Sequence, residues 1–342
     1  MGLGYTPVVR ITGTHAEMIN DRRLIDWEHI DAAGMESDRL HLTVDTRGVE
    51  GLPREGERLG IEYGYAEGEV VNKGDFVISR VTPRLFPEQI LIVATAAPFR
   101  SADESAFRER RSASFESTTL GEVFRTLTRR HGFSPRVAPE LEGIPIDHTD
   151  QADETDMSFI TRLASEHDAV AKPVGERYVL ARRGQVKSIS GQELPLITLS
   201  VPPNNQPGEM GFTNATMERN ARVRFSGVRA AWLNGEEGVE ATVEAGGEPF
   251  KRLRQSYATE GEARRAAEGE QRKLKREQEK LRVECPGNPA LAAEGRILLD
   301  ETWPSYMRGE WSLDRVTARG SRRYGYRSVL EATWPQGREE ED

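Results

Sequence analysis

One cysteine, Cys285, stands in 342 residues. A lone thiol closes no intrachain disulfide, and with no CxxC or Cys/His cluster there is no zinc framework. A reducing compartment fits such a chain best. The chain is long enough to bury a sizeable core, but apolar residues make up only 37% and charged residues 30%, which suggests a soluble protein with much exposed surface, elongated or built of thin modules. The longest apolar runs, such as Ile90 to Pro98, fall far short of the roughly 20 residues a membrane-spanning helix needs. Residues Met1 to Ile11 lack the basic and apolar regions of a signal peptide. A basic surplus is missing too. The net charge of −9 argues against a general nucleic-acid binder, whose footprint would be a basic face. Local basic patches remain, at Arg108 to Arg111 and Arg319 to Arg327. The chain has no GxxxxGK[ST], HExxH, GxSxG or EF-hand loop, and no serine, cysteine or lysine is placed as an activated nucleophile. No metal ligand set and no cofactor are expected.

What the chain does have is a motif used twice. Gly74-Asp-Phe-Val-Ile-Ser-Arg-Val-Thr82 returns as Gly309-Glu-Trp-Ser-Leu-Asp-Arg-Val-Thr317. Gly, Arg, Val and Thr are identical. Asp75 matches Glu310, Phe76 matches Trp311, and Ile78 matches Leu313. Each copy is followed by an apolar run containing Ala-Thr, at Ala94-Thr95 and Ala332-Thr333. One β-unit used twice is the reading this suggests; two amphipathic strands of similar composition are the alternative. The candidate residues are Gly74, Asp75, Phe76 and Arg80 in the first copy, and Gly309, Glu310, Trp311 and Arg315 in the second. Arg80 and Arg315 share one slot, either as a repeated contact to a neighbouring subunit or as solvent-facing residues paired across a sheet.

The first hundred residues read as strands. Leu40, Leu42 and Val44 alternate with His41, Thr43 and Asp45, the period-two pattern of a half-buried strand. Leu59, Ile61, Tyr63 and Tyr65 do the same, and several short strands at close spacing suggest a barrel or sandwich. The pattern changes near residue 99. Ser117-Thr118-Thr119 precedes Leu120, Val123, Phe124 and Leu127 at helical spacing, with Gly132 as a stop. A second helix starts near Thr155 or Asp156, with Met157, Ile160, Leu163 and Ala164 as its apolar stripe, and Tyr178 to Leu180 forms a short strand. The expected organisation is a β domain over 1–98, an α+β module over 99–195, a turn-rich linker over 196–208, a second β domain over 209–337 and an acidic, disordered tail over 338–342. Within the second β domain, 259–280 predicts a charged, solvated helix with a thin stripe of Ala263, Ala266, Ala267, Leu274 and Leu281.

Polar residues are densest from Asp147 to Asp156, where Asp147, Asp150, Asp153, Glu154 and Asp156 accumulate. Paired carboxylates of this kind could cleave glycosides or bind a hard metal. Placed at the first turn of an amphipathic helix, they more often cap it and complement its dipole. Glu166-His-Asp168 reads as a solvated helix end.

Six stretches read in order like one family: Asn72-Lys-Gly-Asp-Phe76, Ser117-Thr-Thr-Leu-Gly121, Gly143 to Gln151, Phe159-Ile-Thr-Arg-Leu-Ala164, Gly287-Asn-Pro-Ala-Leu291, and the second motif copy. Over about residues 35–335 the chain resembles the late control gene D proteins, the tail hub proteins of contractile-tailed phages, which are similar to the amino-terminal part of type VI secretion spike proteins. The resemblance implies a mainly β fold with an α+β insert, built as two tail-tube-like β-barrels plus the small module. It implies a structural role without enzymatic activity. The expected assembly is a homotrimer in the virion tail baseplate, put together in the host bacterial cytoplasm. Its partners would be the tail tube protein, a separate trimeric tail spike protein, and baseplate and tape-measure proteins. DNA would pass through its channel without specific binding, and the chain itself would not insert into a membrane. Two other classes stand beside this one: a peptidoglycan hydrolase using the Asp147–Asp156 cluster, and a transcriptional regulator of late genes.

Overall fold

In the computed structural model, residues 6–33, 36–96, 109–174, 177–182, 195–219, 225–234, 239–321 and 325–334 are described. The expected tail at 338–342 lies outside them. The chain opens with β1 (Pro7–Gly13), a short helix α1 (Ala16–Asn20), β2 (Leu24–Ala32), β3 (Arg39–Asp45), β4 (Arg58–Tyr65), β5 (Val70–Arg84) and β6 (Gln89–Thr95). Next come β7 (Arg110–Thr119), α2 (Leu120–Arg130), β8 (Ser134–Val137), α3 (Pro139–Glu142), β9 (Pro145–Thr155), α4 (Asp156–Glu166), β10 (Ala169–Val174) and β11 (Arg177–Arg182). The remainder is β12 (Leu196–Leu199), β13 (Asn214–Arg219), β14 (Gly227–Asn234), β15 (Val239–Gly246), β16 (Phe250–Tyr257), α5 (Glu260–Glu277), β17 (Glu279–Pro286), β18 (Arg296–Leu299), β19 (Gly309–Ser321) and β20 (Gly325–Thr333).

The fold is mainly β. Twelve strands form one sheet in the order β1-β4-β5-β6-β3-β2-β19-β20-β17-β13, with β18 on the outer part of β19 and β12 on β18. The sheet therefore consists of two sets meeting at β2·β19. The amino-terminal set runs β1-β4-β5-β6-β3-β2. The carboxy-terminal set runs β12-β18-β19-β20-β17-β13. Numbered in chain order within each set, both read 1-4-5-6-3-2. Only the first strand differs in direction: β1·β4 is antiparallel and β12·β18 is parallel. Among the described residues the sheet does not close into two separate barrels, contrary to the simplest picture. The sets share one hydrogen-bonded seam because β19 is long enough to pair with β18 near its start and with β2 further along. Each set still has its own core: Leu40, Ile61, Tyr63, Phe76 and Ile92 in one, and Leu281, Ile297, Trp303, Trp311 and Leu330 in the other.

The stretch 196–208 is not all linker. Leu196–Leu199 pairs with β18, because Ile197 and Leu199 pack on the second core. Between β6 and β12 sits the α+β insert, whose core gathers Phe124, Leu127, Phe159, Leu163 and Tyr178. Its two main helices begin as their sequences dictate. Thr119 accepts from the Glu122 amide at 3.3 Å, and Thr155 from the Ser158 amide at 3.1 Å.

A smaller sheet, β15-β14-β16, carries α5 on one face. The expected thin stripe of α5 is the packing face, and most of its charged residues stay exposed. Ala263 and Ala267 are fully buried against Val228, Ala230 and Val243, since small side chains let the helix sit close to the sheet. Leu281, read as part of the stripe, belongs to β17.

Candidate functional site

The two motif copies occupy equivalent hairpins. In β5·β6, Val77 faces Thr95 and Ile78 faces Ala94; the register then slips, and Arg80 faces Val93. In β19·β20, Ser312 faces Thr333 and Leu313 faces Ala332; the register slips again, and Arg315 faces Glu331. Ser79 and Asp314 are the extra residues, at the same place in both. A β-bulge bends its strand and re-aims the side chains beyond it. The same backbone bonds flank both bulges. Ile78 donates to Glu57 O at 2.9 Å and accepts from Gly56, while Leu313 donates to Gly295 O at 2.8 Å and accepts from Glu294. Gly74 and Gly309 have φ of +101° and +118°, a region that glycine enters at little cost.

Inside each hairpin the aromatic of the motif anchors its own core. Phe76 meets the His29 ring edge-on at 5.4 Å, and Trp311 stacks on Trp334 at 4.1 Å. Trp311 Nε1 donates to Met307 O at 2.9 Å. The acidic positions differ in use: Glu310 accepts from Arg296 at 2.9 Å, whereas Asp75 pairs in register with Gly60.

The arginine slot differs between the two hairpins. Arg315 lies at the seam between the sets, opposite Ala32 of β2, and its guanidinium reaches Glu36 at 2.7 Å. Behind the seam Trp27 stacks on Tyr63 at 4.8 Å and leans on Tyr326 at 5.6 Å. Gly320 makes room, for a Cβ there would come within 2.5 Å of the Trp27 indole. Arg80 is exposed and in the corresponding slot faces, among the described residues, no strand but β6.

Other contacts hold the parts of the fold together, and the sequence reading missed them. Lys172 of β10 is buried and donates to Ala32 O and Asp38 Oδ1, both at 2.6 Å, with Asp31 at 3.4 Å. Burial pulls its ammonium down, but Asp31 and Asp38 more than offset that and leave it above the ordinary lysine range. Burial and the charge of Asp31 push Asp38 up to about 6, while Asp31, despite burial, is held low chiefly by Lys172. Lys73, within the first motif stretch, donates to Pro289 O at 2.6 Å. The triplet Glu166-His-Asp168 is not a solvated end. Asp168 takes a bidentate pair from Arg276 of α5, at 2.5 and 3.0 Å, and Glu166 pairs with Arg162. Hydrophobic period could not reveal these contacts; a lysine among apolar residues, as in Val170-Ala-Lys172, was the one available signal.

The acidic cluster is dispersed. Asp147, Asp150, Asp153 and Glu154 lie along β9, and Asp156 opens α4. Asp156 is fully buried, accepting from Arg130, His131 and Gln151; burial would raise its pKa, but these bonds win and lower it. Asp150 accepts from Ser114, Asp153 from Arg110 and Glu154 from Arg162. Among the described residues no three His, Cys, Asp or Glu side chains converge as a metal site, and no helix is long and apolar enough to cross a membrane.

The profile of the phage tail baseplate hub (GPD) family matches residues 102–324. The chain belongs to that family. A protein named as a probable baseplate hub protein of Escherichia phage 186 is 33% identical over 213 residues, which cover 62% of this chain and 52% of that one. The family member described here thus spans about half the length of the curated relatives it matches. Similar solved structures include a tail protein from Neisseria meningitidis, at TM-score 0.69 and 12% identity over 97% of this chain and 99% of that one. A 43 kDa prophage tail protein from Shewanella oneidensis gives 0.66 and 13% over the same shares. A type VI secretion component from E. coli gives 0.55 and 13%, covering 95% of this chain and 76% of that one. At such identities these likenesses show the fold alone.

Proposed function

We propose that this chain is the structural hub of a contractile phage tail or tailocin baseplate. It forms a homotrimeric ring, contacts the tail tube on one side and a separate trimeric spike on the other, and leaves a channel through which DNA passes without specific binding. Its place is the virion tail, after assembly in the host cytoplasm. One observation carries the reading: two strand sets of identical order, bulge and register within one chain. They support a duplicated tube-like unit, each with its own core, over about 1–98 and 196–337 with the 99–195 insert between them. Three such chains offer six similar faces, which suits a six-fold tube and a three-fold spike alike, since a repeated interface that closes on itself gives a closed ring. The role is structural: the Asp147–Asp156 carboxylates are mostly engaged in pairs along a strand, which favours positioning over hydrolysis.

Co-expression with the tube and spike proteins tests this. Native mass measurement is expected to give a trimer or a trimer-containing complex. A persistent monomer with both partners present overturns the reading.

A further inference from the structure

The seam between the two sets is a template, and each half of it has an unused counterpart. Arg315-Val-Thr-Ala-Arg319 of β19 pairs antiparallel with β2: Val316 with Asp31, Thr317 with Ile30, Ala318 with His29, Arg319 with Glu28, Gly320 with Trp27. In the other set the same stretch reads Arg80-Val-Thr-Pro-Arg84. Beyond Val77 it pairs with β6 alone. The counterpart of β2 is β13, which pairs with β17 alone. Neither free edge meets another strand among the described residues. They lie in different sets, separated by the strands between, so one chain does not bring them together.

We propose that the free edge of β5 pairs antiparallel with the free edge of β13 in a second copy of this chain, repeating the β2·β19 seam between subunits. This deepens the ring reading above and rests on it. The paired strands set the register. Arg39 and Lys280 face Thr95 and Thr333, the equivalent hairpin residues. Ile30 faces Arg39 and Glu218 faces Lys280, so Glu218 takes the place of Ile30. Thr82 then faces Glu218, Pro83 faces Met217, Arg84 faces Thr216 and Leu85 faces Ala215.

The side chains fit that register. At the template seam a glycine on β19 admits a tryptophan from β2; at the proposed seam an alanine on β13 faces Leu85, the residue just past β5, so small meets large with the roles exchanged. Leu85 and Phe86 are 86% and 99% exposed, and Met210, just before β13 and at the same end of the seam, is 69% exposed. On the polar face Glu218 lies diagonally between Arg80 and Arg84, within cross-strand reach. Pro83 supplies no N–H, so this seam has one donor fewer than its template; the same proline discourages indiscriminate pairing of a free edge.

Ala33 donates to Asp314 O at 2.7 Å. By ladder alternation this makes Thr317/Ile30, and hence Thr82/Glu218, a non-hydrogen-bonded pair, with Cα atoms about 4.5 Å apart. That is within disulfide reach. Both residues are exposed and Cys285 is buried. The full chain carrying Thr82→Cys and Glu218→Cys, oxidised after assembly, is expected to give covalent multimers on a non-reducing gel. A mixture of the two single variants is expected to stop at dimers. Thr82→Cys with Thr216→Cys, two residues out of register, is expected to cross-link at least ten-fold less. If native mass shows the assembled oligomer but the in-register pair cross-links no better than the shifted one, the seam is wrong and the ring stands. If the wild-type chain stays monomeric with tube and spike present, both fall.

Discussion

His29 and His167 carry the acid sensitivity of single residues. His29 is 3% exposed and bonded through Nδ1 to Tyr63 OH at 2.9 Å. Burial holds it neutral and lowers its pKa to about 4; burial, aided by Arg265 and Arg182, does the same for His167. A base whose folded pKa is depressed stabilises the fold above its unfolded value, near 6.5, and loses that contribution as pH falls toward 4. A depression of this size is worth up to about 3 kcal/mol for His29. Asp38 and Glu166 work the other way, since their raised pKa values favour the fold at low pH, but the lowered carboxyls of Asp31 and Asp156 act in the same direction as the two histidines. Urea midpoints should therefore fall between pH 6.5 and 4, and His167→Gln should flatten the slope. An unchanged slope would assign it elsewhere. Gly320 tests packing at the same scale. Gly320→Ala sets a methyl against Trp27, and overpacking of this sort costs about 1–3 kcal/mol. Thermal unfolding should show a lowered midpoint, while Gly261→Ala, on an exposed turn of α5 with no close heavy atom but an arginine tip, should not lower it.

At the scale of elements, α5 is held by two different devices. Its alanine face packs on β14 and β15, and its far end is pinned to the insert by Arg276 and Asp168. Both side chains of that pair are 9% exposed. Removing one partner of a buried ion pair costs about 3–5 kcal/mol, because the other charge stays buried and unpaired. Asp168→Ala should therefore expose the last turns of α5 to amide exchange. Replacing Asp168 and Arg276 together with leucine and methionine should restore much of the protection. The same element marks what a sequence can tell. Period and capping placed α2 and α4 to within a residue, since an apolar stripe and a threonine cap are local signals. The strands at Arg39–Asp45 and Arg58–Tyr65 were equally plain from alternation. The short β12 was not, for it has four residues and gains its place only by pairing with β18. Nor were Lys172 and Asp168, whose partners are more than a hundred residues away.

Over the whole molecule the shared seam decides how the chain unfolds. Two sets with separate cores would be expected to melt separately, yet Trp27 of the first packs on Tyr326 of the second, and β2 pairs with β19 from Arg315 to Ser321. Tyr65 OH also donates to Gly287 O across the same boundary at 2.8 Å. Once Trp232 of the small sheet is replaced by phenylalanine, the chain carries its own reporter of this coupling. Trp303, Trp311 and Trp334 all lie in the second core, and Trp27 lies in the first. Trp27→Ala deletes a buried aromatic, a loss of about 3–5 kcal/mol, and leaves the second core's tryptophans untouched. If the sets fold as one unit, the fluorescence of those tryptophans in urea should shift to a lower midpoint in the variant, in step with the loss of circular dichroism. If they fold independently, that signal should keep its wild-type midpoint while only part of the dichroism moves. Coupling is the expected result, because a hydrogen-bonded ladder backed by aromatic packing holds the two units in one geometry.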